Sequence, residues 1–360
     1  MKIKTLKFSL LLMALITVMI SCKNDDDDDD FVFVEEDRTE QQVKDKDSIL
    51  LYLSTHYYNS SDFDTGLNHK YTDIDITELP KDDEGNYLAL PDPTNNTLLL
   101  DAVDTYTTEY LDVSYEYYVL NLNQGGGDSP AFTDIVRVRY EGTSVNDALS
   151  GTNEVFDSSV TPVNFNLQSN GISTSVIKAW QVVFPMFNAA SGFDINDNGN
   201  GIVDFNNFGL GVMFMPSGLC YFSGTSTGSS YDNLIFKFEL LQFEVEDHDN
   251  DGIPSYLEDL DNDLDITNDD TDEDGFVNFI DSDDDADGVS TLSELIPNTY
   301  IVDTTTTPPG VEPTIAANEF VRSRTEVEGI ITIKTVTIAD FNNDGTPDYL
   351  DENITIDYNE

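Results

Sequence analysis

Alternating aspartates in the last third of the chain have the spacing of a loop that binds a hard cation. Positions 1, 3, 5 and 12 of such a loop are held by Asp247, Asp249, Asp251 and Glu258. Gly252 at position 6 permits the sharp bend that turns the carboxylates inward, and a distal carboxylate closes the ligand shell. Because Ca²⁺ prefers oxygen ligands in this arrangement, the spacing predicts a structural rather than catalytic calcium site.

The same spacing recurs three times downstream. The further candidate ligands are Asp270, Asp272, Asp274 and Asp281; Asp283, Asp285, Asp287 and Glu294; and Asp340, Asn342, Asp344 and Asp351. Pro254 and the next aspartate run leave no room for flanking helices of EF-hand length. The segment resembles the Asp-rich repeats of thrombospondin type 3 and related bacterial surface proteins. The alternative is a solvated acidic linker, but a random acidic run would not repeatedly place glycine at position 6.

The N-terminus has the layout of a secretory signal. Basic residues precede an apolar run from Phe8 to Ile20, and Ser21 and Cys22 follow. The run is shorter than the roughly 20 apolar residues of a membrane-spanning helix. A small residue before Cys22 resembles the lipobox of bacterial lipoproteins, which implies cleavage before Cys22 and membrane attachment through lipid on it. The alternative is an ordinary cleaved signal that leaves a free thiol.

Charge restricts location and partners. The run from Asp25 to Asp30 stays extended by self-repulsion and resembles an acidic stretch that marks lipoproteins for export, so we expect the protein at the outer membrane or cell surface. A formal charge of −54 excludes nucleic acid as a partner, because the chain would repel phosphates. Such a chain needs bound cations or segregated charge to be compact. Lipid on Cys22 would leave Cys220 without a disulfide partner.

Residues 38 to 58 carry the pattern of an amphipathic helix. Val43, Leu50, Leu53 and Tyr57 are spaced by seven, three and four residues, which places them on one helical face. The helix could dock on a partner or a second copy of the chain. The interpretation favoured here is a helix packed on its own domain.

Apolar and polar residues alternate along the middle third of the chain, as they do in β-strands. Val136, Val138 and Tyr140 point to one face of a strand, and Arg137 and Arg139 point to the other. Further strands are expected at Tyr115 to Leu122, Phe165 to Leu167, Leu210 to Met215 and Leu234 to Val245, with one short helix around Val176 to Trp180. The pattern predicts an antiparallel sheet with little helix.

Across roughly Tyr118 to Phe243 the chain resembles the FKBP-type peptidyl-prolyl cis-trans isomerases. The matching blocks, in order, include Val155-Phe156-Asp157-Ser158-Ser159, Val176-Ile177-Lys178-Ala179-Trp180, Met215-Pro216-Ser217-Gly218-Leu219-Cys220-Tyr221 and Leu234-Ile235-Phe236-Lys237-Phe238-Glu239-Leu240. The resemblance implies an α+β, mainly β fold in which an antiparallel sheet wraps on a short helix.

The resemblance also implies a proline pocket with Trp180 as its floor. Its walls would be Tyr140, Phe156, Val176, Ile177 and Phe236, and its polar groups Asp157 and Tyr221. Rotation about an X-Pro bond faces a barrier of about 18–20 kcal/mol from amide resonance. A dry aromatic slot removes the water that stabilises the planar amide, while placed hydrogen bonds favour the twisted one. No catalytic cofactor is required.

Three departures from the family leave a second possibility open. The segment from Asp157 to Pro162 is short and lacks the family's usual arginine, the loop from Gly224 to Asp232 is rich in serine and glycine, and an insertion spans Asn188 to Asn207. The leading hypothesis is an isomerase of X-Pro bonds in exported proteins. The alternative is a catalytically weak binding or scaffold lipoprotein with the same fold.

The expected organisation has six parts. They are a signal peptide (1–21), an acidic tether (22–37), an N-terminal extension with the helix (38–117), an FKBP-like domain (118–246), calcium-type repeats (247–296) and a C-terminal segment with one more loop (297–360).

Overall fold

A computed structural model describes residues 34–171, 175–195 and 203–359, and the chain from Asp37 onward forms one compact unit. Helix α1 spans Arg38–Thr55 and begins where the Asp37 side chain accepts hydrogen bonds from the first free backbone amides. A small antiparallel sheet and a short helix follow: β1 (His56–Tyr58), β2 (Ile76–Glu78), β3 (Thr97–Leu98) and α2 (Leu99–Ala102).

The main sheet has six antiparallel strands. Residues 104–244 form these strands and the elements between them, in chain order: β4 (Asp104–Tyr110), β5 (Val113–Asn123), β6 (Ile135–Ser144), α3 (Val145–Leu149), β7 (Val155–Asn166), α4 (Lys178–Val183), β8 (Gly192–Ile195), β9 (Val203–Asn206), β10 (Gly209–Met215) and β11 (Leu234–Glu244). The strand order is β4-β5-β10-β11-β6-β7, and β8 and β9 form a separate hairpin within the insertion. The described part of the chain is therefore mainly β with few helices.

Apolar residues cover both faces of this sheet. Met213 and Met215 of β10 face the core under α4, whereas Val212 and Phe214 face the core under α1. Every residue of β10 is buried. Burial on two sides explains why this strand is a continuous apolar run rather than an alternating one.

Helix α1 packs on its own domain, but its buried face differs from the expected one. Ile49, Tyr52 and Leu53 enter the core, whereas Val43 is 55% exposed and Tyr57 belongs to β1. The expectation for Val43 was wrong. In the first turns of α1 the buried face carries the polar residues Gln41 and Asp45, and the periodicity of apolar residues cannot indicate a polar buried face.

The segment before residue 118 is part of the main sheet. Strand β5 crosses the boundary expected at Tyr118, and the sheet starts with β4 at Asp104. Tyr115, Tyr117 and Val119 alternate into the core under α4, so the strand pairing begins earlier than the sequence blocks indicated.

A buried ion pair fastens the N-terminal extension to the sheet. The Glu239 carboxylate on β11 is inaccessible to solvent and lies 2.8 Å from an Arg139 guanidinium nitrogen. Its other oxygen accepts a hydrogen bond from the Tyr71 amide at 3.0 Å, and Lys237 donates to the Ile74 carbonyl at 2.9 Å. The extension therefore meets the sheet through charged groups as well as apolar ones.

The C-terminal third combines aspartate loops with a three-stranded sheet. Strands β12 (Ile296–Asp303), β13 (Glu319–Val327) and β14 (Ile330–Thr337) lie in the order β12-β14-β13. Ile266 and Phe279 from the loops pack on Phe132 beside the main sheet. None of the described helices is long and apolar enough to cross a membrane.

Candidate functional site

Four aromatic side chains pack between the main sheet and α4, where the resemblance places the slot. The ring centroids of Trp180 and Phe236 lie 4.6 Å apart, and Tyr140 is 5.8 Å from Trp180. Phe156 meets Phe236 edge-on at 5.7 Å. A side chain at Gly142 would collide with Phe236 and Phe156, so glycine is required where β6 passes under these rings.

The polar groups expected in the slot lie at its solvent-facing rim. The Tyr140 hydroxyl donates a hydrogen bond to Asp157 at 2.6 Å, and Tyr221 is 37% exposed. Burial raises the pKa of Tyr140, and the hydrogen bond to Asp157 raises it further. Burial also raises the pKa of Tyr221, with smaller effects from nearby Cys220 and Asp157. Both phenols therefore stay protonated at neutral pH and can donate hydrogen bonds.

Helix α1 holds the segment 216–222, which carries the rim tyrosine. The buried Asp45 carboxylate accepts hydrogen bonds from the Ser217 amide at 2.9 Å and from its hydroxyl at 2.6 Å. Arg38 donates to the Gly218 carbonyl at 3.2 Å. Burial raises the pKa of Asp45, and these hydrogen bonds partly offset the rise. Sequence reasoning missed these contacts because nothing local connects α1 with this loop.

The remaining wall residues lie just before α4. Val176 and Ile177 are half-buried and pack against the core that contains Trp180. Trp180 itself is only 3% exposed and Phe236 2%, and both belong to the core under α4. A larger cavity of about 720 Å³ lies elsewhere, lined by Arg137 and Arg139 and by the hairpin β8–β9.

The aspartate segments form five loops with one backbone conformation. Non-glycine residues with φ between 53° and 65° occupy position 4 of each loop: Asn250, Asn262, Glu273, Ala286 and Asn343. In every loop the position-5 amide donates to the position-3 side chain at 2.9–3.2 Å. The position-7 amide donates to the position-5 side chain at 2.7–2.9 Å. The free oxygens of these side chains consequently turn inward.

One of these loops escaped sequence reasoning. Asp259, Asp261 and Asp263 form a carboxylate triplet like those of the predicted loops. Leu264 stands at position 6 with φ of 66°, where the other four loops have glycine. The Asp-x-Asp-x-Asp spacing indicates this loop in the sequence. A search pattern that requires glycine at position 6 does not find it.

Most predicted ligands come together in these loops. Carboxylate oxygens lie within 4.8 Å of one another in three predicted triplets: Asp247, Asp249 and Asp251; Asp270, Asp272 and Asp274; and Asp283, Asp285 and Asp287. In the last loop Asn342 contacts Asp344 at 2.9 Å and Asp351 at 3.1 Å, and Asp340 accepts from the Asp344 amide. Asp281 lies outside its triplet and accepts from the Asp283 amide instead.

The chemistry of the distal carboxylates fits a cation. Both oxygens of Glu258 and of Glu294 are buried without a hydrogen-bond partner. Burial, then the charges of neighbouring aspartates, raises the pKa of Glu258 to about 11 and that of Glu294 to about 9. A buried carboxylate without a donor is costly, whereas a hard cation satisfies several such oxygens at once.

Several predictions fall outside the described residues. They concern the signal peptide (1–21), Cys22 and the acidic run that follows it, and the central part of the insertion at 196–202.

Comparison with known proteins adds limited information. A family model described as BamM C-terminal matches residues 248–319, which is well under half of the chain. No curated protein matches. Similar solved structures include a peptidyl-prolyl cis-trans isomerase from Pseudomonas syringae pv. tomato (20% identity, 36% of this chain and 75% of that chain, TM-score 0.26). FkpA from Escherichia coli is 21% identical over 40% of this chain and 52% of its own, with a TM-score of 0.27. Scores this low assign the chain to no family.

Proposed function

We propose that this protein is a peptidyl-prolyl cis-trans isomerase that acts on X-Pro bonds of exported or cell-surface polypeptides. The observation that carries the proposal is the aromatic slot over Trp180 with Asp157 and Tyr221 at its rim. The slot binds the proline ring and excludes water from the amide, which favours the less polar twisted state. The Tyr221 hydroxyl donates to the substrate, and Tyr140 holds the Asp157 carboxylate in place.

An isomerase assay on a lipid-free chain (residues 23–360) with a Leu-Pro or Phe-Pro peptide tests this proposal. Asp157→Ala should lower kcat/KM by about tenfold or more, equivalent to at least about 1.4 kcal/mol of transition-state stabilisation. Asp83→Asn, which neutralises an exposed acid in a distant turn, should leave the rate unchanged. Absence of any acceleration by the folded wild-type chain would contradict the proposal.

A specific observation favours the second candidate, a proline-binding or scaffold protein. Almost none of Trp180 or Phe236 is exposed, so a bound proline ring would contact little of the slot floor, which favours weak binding over catalysis. In that case Pro-containing peptides change the fluorescence of Trp180, the single tryptophan, in a saturable manner without any change in the isomerisation rate.

We further propose that lipid on Cys22 anchors the protein at the outer membrane or cell surface. The support is the signal layout, the small residue before Cys22 and the acidic run after it. Cys22→Ser should release the protein from the membrane fraction and abolish incorporation of a labelled fatty acid. Protease digestion of intact cells then distinguishes the cell surface from the periplasmic leaflet.

The aspartate loops serve as structural calcium sites in this proposal. Their support is the repeated backbone conformation and the unpaired buried oxygens. Calcium titration by calorimetry on the chelator-treated chain should reveal saturable binding, and calcium should raise the unfolding temperature, because a ligand that binds only the folded state stabilises it. An unchanged unfolding temperature would argue for a solvated acidic segment.

A further inference from the structure

Three carboxylates from two different loops meet in the interior of the C-terminal third. Asp251 and Glu258 belong to the loop 247–258, and Asp284 belongs to the loop 283–294. Each offers an oxygen within 4.8 Å of the others. Asp284 stands at position 2 of its loop, a position that the ligand spacing does not use. The triad Asp251–Glu258–Asp284 therefore differs from the triplet Asp247–Asp249–Asp251 at the mouth of the first loop. The two sets have only Asp251 in common.

This triad is buried and its oxygens lack donors. The three residues are 2%, 1% and 2% exposed. One oxygen of Asp251 and both oxygens of Glu258 and Asp284 have no hydrogen-bond partner. Removing a bare carboxylate from water costs several kcal/mol even after relaxation. One oxygen from each of the three carboxylates therefore lies close to the others without a donor, and a cation between them would satisfy all three at once.

The charge around the first loop indicates two divalent ions. Five carboxylates contribute here: Asp247, Asp249, Asp251, Glu258 and Asp284. Arg322, 3.8 Å from Asp247, adds one positive charge. A single divalent ion would leave two negative charges uncompensated in a buried region, whereas two ions leave none.

We propose that the triad Asp251–Glu258–Asp284 holds a second divalent cation of the calcium class, which shares Asp251 with the ion at the mouth of the first loop. The inference rests on the proposed calcium loops and adds a site that joins two of them. Calcium accepts six to eight oxygens, and the triad supplies at least three of them, one from each carboxylate. The ion clamps loop 283–294 onto loop 247–258.

A natural reporter lies beside the triad. Tyr349 is 3% exposed and packs with Ile253 and Leu295. Ile253 follows Asp251 by two residues, so this packing brings the Tyr349 ring to the loop that carries the triad. Excited tyrosine transfers energy to Tb³⁺ at short range, so a Tb³⁺ ion in the triad should luminesce through Tyr349.

The number of ions is tested by native mass spectrometry of the chelator-treated chain titrated with Ca²⁺. Asp249→Asn at the loop mouth and Asp284→Asn in the triad should each lose one ion, and the double variant should lose two. Glu273→Gln, which neutralises an exposed position-4 carboxylate, should lose none. Loss of only one ion from the double variant would overturn the proposal, since all five carboxylates would then serve a single ion.

Tb³⁺ luminescence locates the ion without relying on a charge-removing variant. Tyr349→Phe should keep the full calcium count but lose part of the tyrosine-sensitised emission, and Asp284→Asn should lose the same part. Emission unchanged in Tyr349→Phe would overturn the placement. A wild-type chain that binds no Ca²⁺ at all would instead refute the calcium role proposed for the loops.

Discussion

Removal of the Glu239 carboxylate should separate the N-terminal extension from the main sheet. Glu239 is fully buried and pairs with Arg139 at 2.8 Å while it accepts the Tyr71 amide. Glu239→Ala leaves the buried Tyr71 amide and the partly exposed Arg139 guanidinium without their acceptor.

The expected cost follows from that burial. Removing one partner of a buried ion pair typically destabilises a protein by about 3–5 kcal/mol. Glu239→Gln keeps a carbonyl oxygen for one of the two donors but loses the charge and the second acceptor, so we expect a smaller cost of about 2 kcal/mol. We therefore expect Glu239→Ala to be less stable than Glu239→Gln. The reason is that the carboxylate accepts hydrogen bonds both from the N-terminal extension and from β6.

Urea unfolding followed by Trp180 fluorescence measures both variants, because this single tryptophan lies in the core on the opposite face of the sheet. The matched control is Glu78→Gln, which breaks an exposed ion pair with Lys81 at 2.7 Å and should leave the midpoint nearly unchanged, as surface pairs usually do. A midpoint for Glu239→Ala equal to that of the control would refute the docking of the extension on the sheet.

Three further predictions address contacts between distant segments. Ser217→Ala removes the hydroxyl that donates to the buried Asp45 carboxylate, while the residue-217 amide still donates, and should cost about 1–3 kcal/mol in urea unfolding; no change would show that this hydroxyl does not help α1 to hold the loop. Burial lowers the pKa of His56, so its contribution to stability is present above pH 6.5 and is lost as pH falls; the urea midpoint should drop from pH 7.5 to 5.5 more in the wild type than in His56→Gln, and equal drops would contradict this. Lys178→Met removes the hydrogen bond to the Leu264 carbonyl at 2.7 Å and should speed amide hydrogen exchange in residues 259–270; unchanged exchange there would contradict a role for this contact.

Sequence patterns predicted the strands that depend on the local periodicity of apolar residues. The alternation through Val138 and Tyr140 corresponds to β6, and the apolar run before Pro216 corresponds to β10. The conformation of the four aspartate loops with glycine at position 6 is likewise set within six residues, by that glycine and by side chains that bind nearby amides.

Long-range partners could not be predicted from one sequence. Asp45, Glu239 and Asp284 are charged residues that look like solvated surface until their partners in distant segments are known. Leu264 shows a different limit, since a leucine in the left-handed region is uncommon and sequence patterns do not predict it. In this chain, the residues whose roles the sequence patterns did not predict are those that connect one segment to another.

The contacts of α4 extend from the main sheet to the C-terminal third. Lys178, the first residue of α4, donates to the Leu264 carbonyl in the loop 259–270, and Trp180 follows within the same helix. Burial lowers the pKa of Lys178, while three aspartates of that loop oppose the shift. A divalent ion in the loop would neutralise these aspartates and weaken their attraction for the ammonium group. Lys178 therefore connects the helix that carries Trp180 with the charge of the loop 259–270.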